Sequence, residues 1–230
     1  MRSILPFDEI NQLVTDIRSR FKDKKLSDDP ALMEDILDEM LDIFLLTYAT
    51  ANRVTGESLD YEYEPTTDEV MATVNKVVAG ETWEERVEDC FSTSDSADDT
   101  AQGGTSRPTS TERVVRGGTS VPTTAKGETP EQRKPRDGGV EDLIRIIETE
   151  SHRIANETAL NTAGRAGATK KKWVTMLDDR VRDTHAYLEG QSVPYDADFY
   201  TFDGDHAKAP GLFALPENNI NCRCELTFEK

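Results

Sequence analysis

Close to its C-terminal end the chain carries Asn221-Cys222-Arg223-Cys224, and two imidazoles upstream, His185 and His206, could join those thiols on one ion. Residues 222–228, Cys-Arg-Cys-Glu-Leu-Thr-Phe, are predicted as a strand, whose period of two puts Cys222 and Cys224 on one face and Arg223 on the other. Two thiolates plus two imidazoles would complete a tetrahedral zinc site, and a domain of roughly 90 residues with long loops would gain stability from such a staple. The plainer reading needs no cofactor. It makes both cysteines small buried residues and His185 a hydrogen-bonded helix residue, and we prefer it because His206 sits in a Gly-Asp-His-Ala-Lys loop with no spacing constraint. If only His185 joins the thiols, a fourth ligand is missing. A Cys222–Cys224 disulfide suits the pattern least, since parallel side chains in an extended segment fit disulfide geometry poorly.

A second set could be catalytic. Glu150, Asp178, Arg182 and His185 offer carboxylates, an anion clamp and a general base, as a metal-dependent nuclease or a transferase-type effector would need. The same residues also make structural sense. Glu150 lies beside a helical apolar stripe, three residues from Ile147 and four from Ile154, where a carboxylate needs a partner. Arg182 is expected to be that partner, with Asp178 or Asp179 capping the helix of Arg182 and His185. With no Gly-rich phosphate loop, nucleophile elbow or His-Glu-x-x-His, no enzyme activity is expected.

The elements that would hold these groups begin with Val140. Leu143, Ile144, Ile147, Ile154 and Leu160 predict a helix ending at Gly164 or Gly167. Lys170-Lys171-Lys172 reads as a solvated loop, Trp173 to Leu177 as a strand, Asp178-Asp179 as its turn, and Val181 to Leu188 as a short helix closed by Gly190. The stretch from Gln191 to Asn221 reads as a long loop over a small sheet, its aromatics Tyr195, Phe199, Tyr200, Phe202 and Phe213 forming a satellite core. Upstream, Phe7 to Phe21 and Leu32 to Tyr48 predict an antiparallel helical pair. A third helix is capped by Thr67 or Asp68 and stops at Gly80, and a fourth opens on the capping box Thr82/Glu85.

Between these parts the composition changes. Ser92 to about Gly138 is rich in Ser, Thr, Gly and Pro and repeats Gly-Gly-Thr-Ser-x-Pro-Thr from Gly103 and again from Gly117. Val114, Val115 and Val121 are too few to offset the entropy of ordering such a stretch, so it is predicted to be a disordered arm. The organisation expected is an α+β protein: an acidic helical region at 1–91, a low-complexity arm at 92–138, and a domain at 139–230 with one long helix on a short sheet.

Charge narrows the function. The net charge is −18, and residues 1–90 alone hold 9 basic and 22 acidic side chains, which disfavours broad contact with a phosphate backbone. Residues 1–6 lack the apolar core of a signal peptide, and no apolar run reaches the roughly 18 residues of a membrane span. Three cysteines suit a reducing cytoplasm.

Glu148-Thr149-Glu150, Lys172-Trp173-Val174-Thr175, Asp178 to His185, Leu188-Glu189-Gly190 and Asn219-Ile220-Asn221-Cys222-Arg223-Cys224, in that order, resemble the phage Mu F-like minor head protein family, also called the head morphogenesis family. Thr82-Trp83-Glu84-Glu85-Arg86 is similar to the helical segment that precedes the domain in that family. The motif residues are thus Glu150, Trp173, Asp178, Arg182, His185, Gly190, Asn221 and Arg223. The resemblance implies a virion component present in several copies, made for head assembly in the host cytoplasm. Its implied partners are the portal protein and the major capsid protein, with packaged DNA close by and no membrane. Limited proteolysis is expected to cut first between Ser92 and Gly138 and to release a stable C-terminal fragment, and protection of that whole segment in the isolated chain would contradict the predicted arm.

Overall fold

The structure, a computed structural model, describes residues 3–78, 80–92 and 139–230, so the predicted arm lies outside the described residues. Four helices precede it: α1 (Phe7–Arg20), α2 (Leu32–Ser58), α3 (Thr67–Val74) and α4 (Trp83–Ser92). After it come α5 (Val140–Arg165), β1 (Lys170–Val174), α6 (Asp183–Ala186), β2 (Ser192–Pro194), β3 (Phe199–Tyr200), β4 (His206–Ala207), α7 (Pro216–Asn219) and β5 (Glu225–Glu229). The mixed helical and sheet class expected from the sequence is what the chain adopts.

Local chemistry sets the helix starts. Thr82 and Glu85 form the expected capping box, the Glu85 N–H donating to Thr82 Oγ1 at 3.2 Å and the Thr82 N–H to Glu85 Oε2 at 2.7 Å. The cap of α3 is Thr66 rather than Thr67 or Asp68, because Glu69 returns a bond to the Thr66 N–H at 3.0 Å. This helix also stops early. Asn75 turns its carbonyl Oδ1 to the indole N–H of Trp83 at 3.3 Å, and Val78 pairs with Glu81 in a tight turn, which leaves Val77 exposed.

The N-terminal helices do more than pair with one another. The most extensive partner of α2 is α5, and α1 and α4 pack on α5 as well. One core therefore takes Ile10, Leu13 and Ile17 from α1, Ile36, Met40 and Phe44 from α2, Trp83 and Val87 from α4, and Leu143, Ile144, Ile147 and Ile154 from α5. Each fully buried Ile, Leu or Phe contributes about 1.5–3 kcal/mol. The segments on either side of 92–138 are thus held together by a shared interior.

A three-stranded antiparallel sheet in the order β2-β1-β5 packs on the C-terminal half of α5, and β3 and β4 form a separate hairpin. Gly164 permits the close approach of the segment after β2. A Cβ there would sit 2.2 Å from Tyr195 Oη, which donates to the Leu160 carbonyl at 2.8 Å. The region from Gln191 to Asn221 is more regular than a loop, since it contains β2, β3, β4 and α7. Of its aromatics Phe199 and Phe213 are buried, whereas Tyr200 and Phe202 are exposed, because the strand alternation that buries Phe199 turns Tyr200 outward.

The three lysines correct the expectation of a solvated loop. They open the central strand: Lys170 and Lys172 face out, while Lys171 is 0% exposed and donates from Nζ to the Lys208 carbonyl at 2.8 Å. A period of two buries one lysine of three, and its Nζ lies 5.5 Å from the Phe199 ring centre where it meets that carbonyl. Burial lowers its pKa from 10.5 to about 8, against the raising influence of Asp198 and Asp196.

Two outcomes follow. After cleavage between 92 and 138 the two pieces should co-elute in native buffer and separate only in denaturant; separate elution in native buffer would contradict the shared core. For Lys171, the unfolded chain holds a proton that the folded chain has lost between pH about 8 and 10.5. Stability against urea should therefore rise with pH across that window, and Lys171→Met should flatten the rise.

Candidate functional site

His185 sits on α6, which follows a turn at residues 178–181. No side chain caps this helix: the Asp178 carboxylate expected there instead accepts the Arg180 N–H at 3.2 Å and Arg223 Nη2 at 2.7 Å. An aspartate bonding two residues ahead makes its own turn, which removes it from capping duty. The imidazole is buried, lying edge-on to Trp173 at 5.4 Å and stacked on Phe213 at 5.4 Å. Trp173 itself is fixed in β1, its carbonyl accepting the Gly190 N–H at 3.0 Å where Gly190 turns the chain at φ 74°.

Cys222 and Cys224 precede β5 rather than lying in it. Asn221 has φ 57°, and the Cys222 N–H closes a turn on the Asn219 carbonyl at 3.1 Å, so the extended run begins only at Glu225. Both thiols are nevertheless buried and meet one atom, His185 Nδ1, at 3.4 Å each. The predicted fourth ligand is elsewhere. His206 lies on β4 with its side chain 56% exposed, Nδ1 2.9 Å from Asp198 Oδ2 and its ring stacked on Tyr200. Ala207 beside it fills the core, and neighbouring Asp205 is held by the N–H groups of His206, Ala214 and Leu215 and by Asn218 Nδ2, an arrangement that leaves His206 facing out.

Support for the thiols comes from α5. His152 Nε2 lies 2.7 Å from the Cys224 carbonyl, so that nitrogen carries the proton, and Asn156 Nδ2 donates to the same carbonyl at 3.2 Å. Burial holds the His152 pKa down to about 4, which keeps the ring neutral. Burial would also push the Cys222 thiol up, but its hydrogen bond with Cys224 and the charges of Arg182 and Arg223 hold it below the ordinary thiol value. Cys224 moves the other way, raised by that hydrogen bond and by burial. Beside the three side chains lies a pocket of about 10 Å³, rimmed by Arg182, Asn221 and Arg223. Arg182 Nη2 donates to the Ile220 carbonyl, while buried Nη1 and His185 Nε2 have no protein partner.

Glu150 is not the partner of Arg182. Its Oε2 takes Arg153 Nε at 2.6 Å and its Oε1 takes Arg86 Nη2 at 2.7 Å, all three side chains being largely buried. Arg153 also bonds Glu157 at 3.0 Å and the carbonyls of Thr73 and Val74 at 3.0 and 3.2 Å. A partner three residues along the same helix is geometrically nearer than one across the 178–181 turn. The four residues of the catalytic alternative therefore do not converge: Arg182 and His185 line the pocket, Asp178 reaches it only through Arg223, and Glu150 faces α4.

Sequence reasoning missed His152, Arg153, Asn156 and Arg86. For three of them a signal existed, since Glu150/Arg153/Glu157 and His152/Asn156 stand at the three- and four-residue spacings of one helix face. Glu150→Ala should destabilise the chain by about 3 kcal/mol in urea unfolding, the low end for breaking a buried pair because Arg153 keeps other acceptors. A loss under about 0.5 kcal/mol would mean the pair is solvated.

Comparison with known proteins now bears on this geometry. The family described as Phage Mu protein F like protein matches residues 110–227. Over 85 residues the chain is 35% identical to NAD(+)--arginine ADP-ribosyltransferase EFV of Enterococcus faecalis, a match covering 35% of this chain and 17% of that protein. Over 83 residues it is 32% identical to minor head protein GP7 of Bacillus phage SPP1, covering 35% of this chain and 27% of that protein. The matched part is thus well under a third of either relative's length. No solved structure matches at a significant level. The family match takes in more than half of the sequence and spans α5, the central strand, His185 and both thiols, and on that ground the chain belongs to the phage Mu protein F like family.

Proposed function

We propose that the chain is a minor head protein of a tailed double-stranded DNA phage, acting by contact in head assembly rather than by turnover. The observation that carries this reading is the family match, supported by the likeness to a phage minor head protein. The portal protein is the partner we favour, with the major capsid protein beside it and several copies in each virion. The chain would assemble in the host cytoplasm and remain at the portal vertex or the capsid interior. Among the described residues no helix is long and apolar enough to cross a membrane.

The surface suited to docking lies between α1 and α2. Asp8, Glu9 and Asp16 face Glu39 and Asp42 across a groove of about 470 Å³, with Leu13 and Ile43 also lining it. Such a groove fits a basic segment with an apolar stripe, and its charge would speed encounter. The same acidity turns the chain away from direct grip on packaged DNA, so any role in DNA packaging or ejection would run through its protein partners. Arg20 pairs with Glu39 at 2.6 Å, which leaves Asp8, Glu9 and Asp42 as the exposed acids to test.

Deleting residues 1–91 is a poor test, since it would strip the shared core from α5. Instead Asp8→Lys, Glu9→Lys and Asp42→Lys together should keep the chain folded, with a small loss in Tm because Asp8 and Glu9 stand in the first turn of α1, and cut incorporation into particles severalfold. Normal incorporation would move the docking face elsewhere, and particles complete without the chain would overturn the head reading. The transferase-named relative supplies a second assay: purified chain incubated with NAD and an arginine-bearing acceptor should transfer nothing. Transfer that folded His185→Ala abolishes would replace the structural reading with an enzymatic one.

A further inference from the structure

We propose that His185, Cys222 and Cys224 bind one zinc ion, which ties α6 to the segment entering β5. Two thiolates and an imidazole are a donor set that zinc takes readily. The distances fit. With zinc–sulfur bonds of about 2.3 Å and a zinc–nitrogen bond of about 2.0–2.1 Å at tetrahedral angles, the nitrogen stands about 3.5 Å from each sulfur. In this chain Nδ1 is 3.4 Å from both sulfurs, and the three donor atoms lie within 4.8 Å of one another.

Hydrogen bonds hold part of this arrangement. A neutral Nδ1 has either one proton to give or one lone pair to accept with, so it satisfies one thiol directly, and the second is tied in through the hydrogen bond between Cys222 and Cys224. A cation at the centre engages all three. The cluster is also fixed from behind, the His185 ring by packing on Trp173 and Phe213 and the Cys224 backbone by His152 and Asn156. Binding would displace both thiol protons to solvent, and two thiolates would cancel the ion's charge. That neutrality lets Arg182 and Arg223 stand close without repelling the site.

His206 is too far out to close the shell, so the fourth position opens on the pocket of about 10 Å³, which has room for one water. A water there would also meet the unpartnered Arg182 Nη1.

Full-length protein expressed with zinc supplied should carry about one zinc per chain by elemental analysis. His206→Ala should keep it, while Cys222→Ser and Cys224→Ser should lose at least roughly tenfold in occupancy. A serine variant that misfolds would lose metal for an unrelated reason, so the wild-type chain supplies the second measurement. Stripped with chelator and titrated with cobalt(II), it should show thiolate-to-cobalt charge transfer and the visible bands of a tetrahedral site, both removed by zinc, with a rise in Tm on zinc return. Trace metal only, no cobalt bands and an unchanged Tm would leave the thiols as packing residues and overturn the proposal. Loss of metal in His206→Ala would overturn the ligand set.

Discussion

A carboxylate that is 1% exposed in the middle of a long helix must be met by cations from whatever packs against it, and Glu150 sets the positions of two other pieces of the chain in this way. Arg153, one turn on, binds it and extends to the carbonyls of Thr73 and Val74 at the end of α3, groups that a helix C-terminus leaves without partners. Arg86 approaches from α4, which starts four residues earlier at the Thr82 capping box and sends Trp83 into the core against Phe44. Swapping such a network for apolar residues of equal volume would cost little stability or none. What the network does is penalise any arrangement of α3, α4 and α5 that buries the Glu150 carboxylate without a cation.

The opposite side of α5 works on the sheet. From Glu150 to His152 the helix turns through about 200°, so His152 and Asn156 point away from the ion pairs and toward the Cys224 carbonyl. A single helix is therefore the common wall of the N-terminal helices and of the segment that carries the thiols. Its apolar periodicity is weak as a consequence, since polar residues are buried on both sides, among them Ser151, Thr158 and Thr162.

What could be read from the sequence was local. The course of α5 and the capping box of α4 rest on spacing and residue type, and both are present. The set of His185, His206, Cys222 and Cys224 is the alternative to plain packing, and three of its members meet while His206 does not, the thiols lying ahead of the strand whose period would pair them. The misreadings concern side chains whose fate is set at a distance. Lys171 belongs to a charge run that looks solvated, yet strand pairing with Phe228 and Val193 decides that it alone turns inward. Arg86 and Glu150 are separated by 64 residues, a pairing no local rule can find. His206 was grouped with the thiols by type, but buried Asp205 and Ala207 decide where it faces.

Much of the polar chemistry is used within the fold. Glu150, Asp205 and Asp178 are each engaged by donors or cations, and His206 by the Asp198 carboxylate, contacts that fix the backbone around them. Arg182 Nη1 and His185 Nε2, two of the buried polar atoms without a protein partner, belong to residues that border a pocket sized for one water. Matches of similar length link the chain to a transferase-named protein and to a phage minor head protein, each over a minor share of the relative. A fold can be lent to unrelated tasks, so activities named for whole proteins do not travel with it. What such a module carries from one protein to another is its own geometry, and here that is a helix wall with a thiol and imidazole cluster fastened to it.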